Sequence, residues 1–168
     1  NGLVATTYED VELPKGTGPR HLVFNQSGDI AYVLGELSGT IDVFRIYANE
    51  FTHMQRIVID PSAGNPNHAS ADLHLSPDGK WLLASNRITQ NSIRVLAVLP
   101  SGELRDHKEI IVGKMPRNFQ FDPSGRYVYV ASQGENRIQK FAFKDGDLID
   151  TREDIEVKQP VAILFLKK

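Results

Sequence analysis

The chain has 168 residues, 40% of them hydrophobic and 24% charged, and a net charge of −2; this supports one globular core and argues against a basic nucleic-acid or anionic-membrane surface. It contains no cysteine, which excludes disulfides and thiolate metal sites and fits a reducing compartment. No stretch is long and apolar enough for a transmembrane helix.

The opening segment, NGLVATTYEDVEL, lacks the basic and apolar regions of a secretory leader. The first residue is not Met, so the start of the protein is expected upstream. Residues 2–14 read as the outer strand of a preceding structural unit. Next comes TGPRHLVFNQSGDIAYVLGE, residues 17–36, which reads as two short apolar strands around a turn at Gly28. TIDVFRI and FTHMQRIVI follow as third and fourth strands, and residues 60–70 form a long connecting loop.

The pattern then repeats. SADLHLSPDGKWLLASNR holds a hairpin at Gly79, followed by SIRVLAVL and LRDHKEIIV. PRNFQFDPSGRYVYVASQ holds a hairpin at Gly125, followed by RIQKFAFK and LIDTREDIEV. The three glycines stand 51 and 46 residues apart. Pro77 and Pro123 preset φ in their turns, and each glycine tolerates a left-handed backbone. QPVAILFL, residues 159–166, reads as the inner strand of a further unit.

Four-stranded units at this period, with no helical stripe between them, predict an all-β β-propeller. The expectation for residues 1–168 is a partial propeller: about three complete four-stranded blades plus one flanking strand at each side. Such an arc does not close. It implies completion by an N-terminal half or by a second copy of the chain.

Aligning the blades separates packing from chemistry. Leu22, Leu73 and Phe119 occupy one apolar register, and Phe24, Leu75 and Phe121 another. Eight residues before the glycines stand Arg20, Ala71 and Arg117; seven before stand His21, Asp72 and Asn118; eight after stand Glu36, Arg87 and Gln133. These ends of the hairpins are predicted to meet at one mouth of the central channel, opposite the turns. Each has a plainer reading. The arginines and Glu36 could pair across blades for structure alone, and Asp72 reads as a structural carboxylate satisfying backbone N–H groups. His74 reads as a packed histidine, His53 and His107 as solvated surface, and His68 as a loop residue within reach of the rim. No HExxH, phosphate-loop, GxSxG or GxGxxG pattern is present, and no His/Asp cluster has metal-ligand spacing. No metal and no cofactor are therefore expected.

GPRHLVFNQSGDIAYVLGE, SPDG with SNR, and PRNFQFDPSG together resemble the lactonase-type seven-bladed propellers. That family includes the bacterial propeller 6-phosphogluconolactonases and the fungal carboxy-cis,cis-muconate cyclases. The resemblance runs from about Leu13 to Leu166, in the C-terminal half of the family's ring, and makes Lys168 resemble a natural C-terminus. One departure is Gly35, where Asn is commoner before the glutamate. The resemblance implies hydrolysis of a sugar lactone, 6-phosphogluconolactone first, in the pentose phosphate pathway of the cytoplasm. It also implies a small phosphosugar lactone as the partner, with no nucleic acid or membrane.

The family's active-site proposals single out an arginine and a glutamate sixteen residues later, the spacing of Arg20 and Glu36. A further arginine matches Arg87, with Arg117 as the competing match, and an active-site histidine belongs to the half not present. On this reading Glu36 is the general base, one of Arg20 and Arg87 stabilises the oxyanion, and the other grips phosphate with Arg117. His21, Asn118 and Gln133 bind substrate. A muconate-lactonizing cyclase is the alternative, and a protein-binding scaffold comes third.

Overall fold

The computed structural model describes residues 10–48, 50–60, 62 and 68–166. Within them the strands run in chain order as three four-stranded antiparallel meanders. The first is β1 (Pro19–Phe24), β2 (Ile30–Gly35), β3 (Thr40–Tyr47) and β4 (Glu50–Val58). The second is β5 (His68–Leu75), β6 (Trp81–Ile88), β7 (Ser92–Val98) and β8 (Leu104–Ile111). The third is β9 (Pro116–Phe121), β10 (Tyr127–Ser132), β11 (Arg137–Lys144) and β12 (Asp147–Glu156). A 3-10 turn, Gln133–Glu135, is the one helical segment among the described residues.

The hairpin turns share one construction. The N–H groups of Gly28, Gly79 and Gly125 donate to the carbonyls of Asn25, Ser76 and Asp122 at 3.1, 2.8 and 2.9 Å. All three glycines have positive φ, at 77°, 69° and 70°, which a Cβ would oppose. The same Asn25, Ser76 and Asp122 then use a side-chain oxygen to accept the N–H that starts the next strand, from Ile30, Trp81 and Tyr127. Backbone donors that a tight turn would orphan are thus satisfied locally.

The inner strands β1, β5 and β9 lie side by side, so the sheets fan about a common axis. Apolar side chains fill the gaps between blades. Ile30, Tyr32, Ile41 and Val43 of the first blade meet Leu73, Leu82 and Leu96 of the second. Leu83, Ile93 and Val95 of the second meet Phe119, Phe121, Val128 and Phe141 of the third. Each fully buried Leu or Ile contributes about 1.5–3 kcal/mol. Polar clamps join the same blades: Tyr32 donates to the carbonyl of Gly102 at 2.9 Å, and Gln55 exchanges two 2.8 Å hydrogen bonds with the backbone of Leu104.

The three inner strands differ in exposure. Leu73 is 1% exposed and Phe119 is fully sealed, whereas the equivalent Leu22 is 45% exposed and its neighbour Phe24 49%. No described strand packs on that side of β1.

The flanking strands come out differently. Residues 1–9 of the expected leading strand lie outside the described residues, and Asp10–Leu13 are not in a strand. Residues 159–166 also carry no ladder, because no partner strand lies beside them among the described residues. They lean on the third blade instead. Ile163 N–H donates to Asn118 Oδ1 at 2.7 Å, and the Phe165 ring meets that of Tyr129 edge-on.

Two histidines read as solvated surface have partners. His53 Nε2 lies 2.9 Å from the buried Asp42, which Arg56 also binds, and His107 stacks on Trp81. A half-exposed imidazole gains contact area by lying on a neighbouring ring or carboxylate. His68 opens β5 instead of lying in the loop.

Candidate active site

Every inner hairpin breaks its ladder near the end opposite the turn. In the first blade Pro19 pairs with Gly35 and His21 with Leu34, so Arg20 is skipped. In the third, Pro116 pairs with Ser132 and Asn118 with Ala131, so Arg117 is skipped. In the second, pairing jumps from Ser70 and Asn86 to Leu73 and Ala84, skipping Ala71 and Asp72; the Asp72 N–H donates to Ser85 Oγ instead. Such bulges turn a side chain out of the strand's alternation. Here they release the very positions at which the repeats diverge.

The released side chains form one connected cluster. Arg20 Nε lies 3.3 Å from Glu36 Oε2, and Arg87 Nη2 binds Glu36 Oε1. Arg20 Nη1 also donates to the carbonyl of Ala71 and approaches His21 Nε2 at 2.9 Å. Glu36 therefore joins the first two blades, and both its oxygens are engaged by guanidiniums. The sequence led us to expect Glu36 as a base facing water; in the structure its carboxylate lies against two guanidiniums.

Arg87 is the most enclosed of the arginines, its side chain 9% exposed. Its Nε is buried and has no hydrogen-bond partner among the described residues, a costly state in a dry site unless a ligand accepts from it. Burial, with repulsion from Arg20 and Arg117, holds its guanidinium below the ordinary value against the pull of Glu36. Arg117 thus belongs to the same field, although among the described residues no acceptor takes its guanidinium. Backbone strain flanks both arginines. Ile88, next to Arg87, has φ +80°, and Met115, two residues before Arg117, has φ +56°. Left-handed backbone at a β-branched residue is rare, and such outliers gather at functional sites.

Asp72 is the residue whose importance the sequence understated. Its carboxylate is 1% exposed and collects donors from all three blades. Oδ1 lies 2.6 Å from His21 Nδ1 and accepts the Leu73 N–H; Oδ2 takes His74 Nε2, Asn118 Nδ2 and the Phe119 N–H at 3.1, 2.5 and 3.1 Å. Burial alone would raise its carboxyl, but the His74 contact and the two backbone N–H groups outweigh that, and it titrates below the usual 3.8. Asn118 is thereby committed to Asp72 and to Ile163. Gln133 sits in the 3-10 turn, its N–H bonded to the carbonyl of Met115, at the same end of the third blade as Arg117.

At the other end, a cleft of about 320 Å³ lies between the first two blades, lined by Asn25, Asp29, Tyr32, Arg45, Asp78 and Gly102. Its charged groups already face local partners: Asp29 takes Asn25 and Ser27, Arg45 donates to Ser101, and Asp78 takes Ser76. The unspent hydrogen-bonding capacity is at the arginine end. Among the described residues, no three His, Cys, Asp or Glu side chains converge as a metal site.

Known proteins share this architecture. The chain is 37% identical to a 6-phosphogluconolactonase of Formosa agariphila, over 78% of the chain and 38% of that protein. It is 34% identical to one of Serratia proteamaculans, over 81% and 42%. The chain thus spans about two fifths of the length of these curated relatives. The structure of a periplasmic gluconolactonase of Pseudomonas aeruginosa superposes with a TM-score of 0.87 at 36% identity, over 94% of this chain and 45% of that one. A model of the family described as lactonase, 7-bladed beta-propeller, matches residues 1–165, and the chain belongs to that family.

Proposed function

We propose that this chain supplies one wall of the active site of a sugar lactonase that hydrolyses 6-phosphogluconolactone to 6-phosphogluconate. One observation carries the reading: Arg20 and Arg87 share the single carboxylate of Glu36, Arg117 adds its charge to the field at Arg87, and the buried Arg87 Nε lacks an acceptor among the described residues. Such a cluster has excess positive charge and a donor in need of an oxygen. Guanidinium forks match phosphate and carboxylate geometry. A lactone also develops negative charge on its carbonyl oxygen as the ring opens.

In this scheme Arg87, held rigid by Glu36 and by burial, stabilises the oxyanion. A fixed cation aimed at growing charge lowers the barrier without reorganising. Arg117, whose guanidinium has no acceptor among the described residues, grips the phosphate, and Arg20 bridges the two while sensing Glu36. Gln133, in the 3-10 turn of the third blade, supplies a side-chain amide to a sugar hydroxyl in this scheme.

Turnover by a complete seven-bladed ring carrying this chain tests the scheme. Phosphorylated gluconolactone is expected to exceed the unphosphorylated lactone in kcat/KM by about tenfold or more, the worth of one charge-assisted contact. A ring that opens neither lactone overturns the reading. We place the reaction in the pentose phosphate route and the cytoplasm; cell fractionation tests the location, since the Pseudomonas aeruginosa relative is described as periplasmic. We assign the exposed Leu22 and Phe24 face to the N-terminal half of the propeller. Native mass measurement separates that closure from closure by a second copy.

A further inference from the structure

On the lactonase reading the proton of the attacking water needs an acceptor, and the Glu36 carboxylate lies between two guanidiniums. We propose that His21 is the general base of lactone opening and that Asp72, buried between the blades, is its positioning residue. The inference rests on the lactonase reading.

Three features of the geometry point this way. First, the neighbours fix the tautomer. A guanidinium can only donate and an ionised carboxylate can only accept. With Arg20 Nη1 at 2.9 Å from Nε2 and Asp72 Oδ1 at 2.6 Å from Nδ1, the imidazole carries its proton on Nδ1 and presents a lone pair at Nε2. Second, that lone pair lies inside the arginine cluster, one residue from Arg20, where an anionic substrate would bind. Third, the support is rigid on one side and open on the other. Asp72 is sealed and held by donors from β5 and β9, while the His21 side chain is 37% exposed. A buried carboxylate behind an imidazole orients the ring and stabilises the imidazolium that forms during proton transfer.

Arg20 makes the arrangement responsive to substrate. Its Nη1 is shared between His21 and the Ala71 carbonyl, while its Nε faces Glu36. An arriving anion draws the guanidinium to itself, frees Nε2 and offsets the cation that would oppose imidazolium formation. Water then gives its proton to Nε2 as its oxygen bonds to the lactone carbonyl carbon. The carbonyl oxygen takes the negative charge opposite Arg87. When the tetrahedral species collapses, the bond to the ring oxygen breaks and that oxygen recovers the proton from Nε2. The product is the open hydroxy acid, which ionises into solvent. The charged groups facing His21 are Arg20 on its own strand and Asp72 on β5, backed by His74 on β5 and the Asn118 amide on β9.

The test uses the complete ring with 6-phosphogluconolactone as probe. His21→Ala is expected to lower kcat about 10²–10⁴-fold, the range for a general base, while KM moves little, and to abolish the acid limb of the kcat–pH profile. Added imidazole should restore part of the rate. Asp72→Asn should lower kcat while keeping an acid limb displaced to lower pH, because the imidazole remains but loses its anionic neighbour, and the double variant should be no slower than the worse single, because residues acting as a unit are not additive. If Asp72→Asn does not fold, the half-open His21 position still decides through the pH profile and imidazole rescue. Retention of kcat within about threefold in His21→Ala, persistence of its acid limb, or multiplicative losses in the double variant would overturn the inference. A wild-type ring that turns over while His21→Ala loses nothing sinks this inference alone; a wild-type ring that opens no lactone sinks the lactonase reading and this inference with it.

Discussion

The two ends of each inner hairpin are built on opposite principles. At the turn end the three blades are near copies: a positive-φ glycine, a backbone bond closing the turn, and a side-chain oxygen on the next strand's first N–H. Each turn there is satisfied by its own residues. At the bulge end the blades diverge, to Arg20, Ala71 and Arg117 at one aligned place and His21, Asp72 and Asn118 at the next, and contacts there cross from one blade to another. Repetition serves the fold where each unit is self-sufficient. Divergence serves chemistry where the units must share.

The largest expected break in that comparison is Arg87→Met. Removing a preorganised cation from the oxyanion position should lower kcat/KM about 10²–10³-fold, measured by lactone turnover, with the β-sheet circular dichroism unchanged. Glu36→Gln comes next. It keeps one carbonyl oxygen but loses the charge that aligns two guanidiniums, and misplacement on that scale costs about 10²-fold. The acid limb of its kcat–pH profile should survive, since the proposal places that limb on His21. Arg117→Met should be milder and selective, costing about tenfold in kcat/KM on the phosphorylated lactone and much less on the unphosphorylated one.

At the turn end, Asp122→Ala should leave turnover untouched and lower the unfolding free energy measured by urea titration by about 1–3 kcal/mol, because it orphans the Tyr127 N–H. Acid sharpens the contrast further. Asp72, Asp78 and Asp122 all titrate below their ordinary 3.8 in the folded chain. Folded values below unfolded ones mean that their stabilisation is complete above 3.8 and is lost as pH falls through the depressed values. An acid titration followed by tryptophan fluorescence should therefore show the midpoint move toward neutrality in Asp122→Ala.

The blades, their order and the aligned apolar positions were legible in the sequence because each depends on residues close along the chain. Gly28, Gly79 and Gly125 mark turns wherever they occur, and Leu73 or Phe119 declares its face by alternation. The bulges were not legible. Whether Arg20 or Arg117 is skipped depends on which residue of the returning strand pairs with its neighbours, and both registers preserve the alternation beyond them. Nor was the reach of Asp72, read as a satisfier of nearby backbone groups. Its partners include His21, some fifty positions earlier, and Asn118 with Phe119, well over forty later. Only the fan of blades makes those neighbours. The partners of His53 and His107 lie inside their own blades and were missed because they depend on which strands of the meander face each other, and the strand expected at residues 159–166 lacked a ladder to join.

Ile88 shows what this arrangement costs its owner. A branched side chain held at φ +80° directly after Arg87 sacrifices about 1–2 kcal/mol that glycine would recover. An engineer seeking a hardier chain would reach for that replacement first. The same replacement would slacken the tether of the buried guanidinium, so on the proposed lactonase reading heat tolerance and turnover pull in opposite directions at this one position.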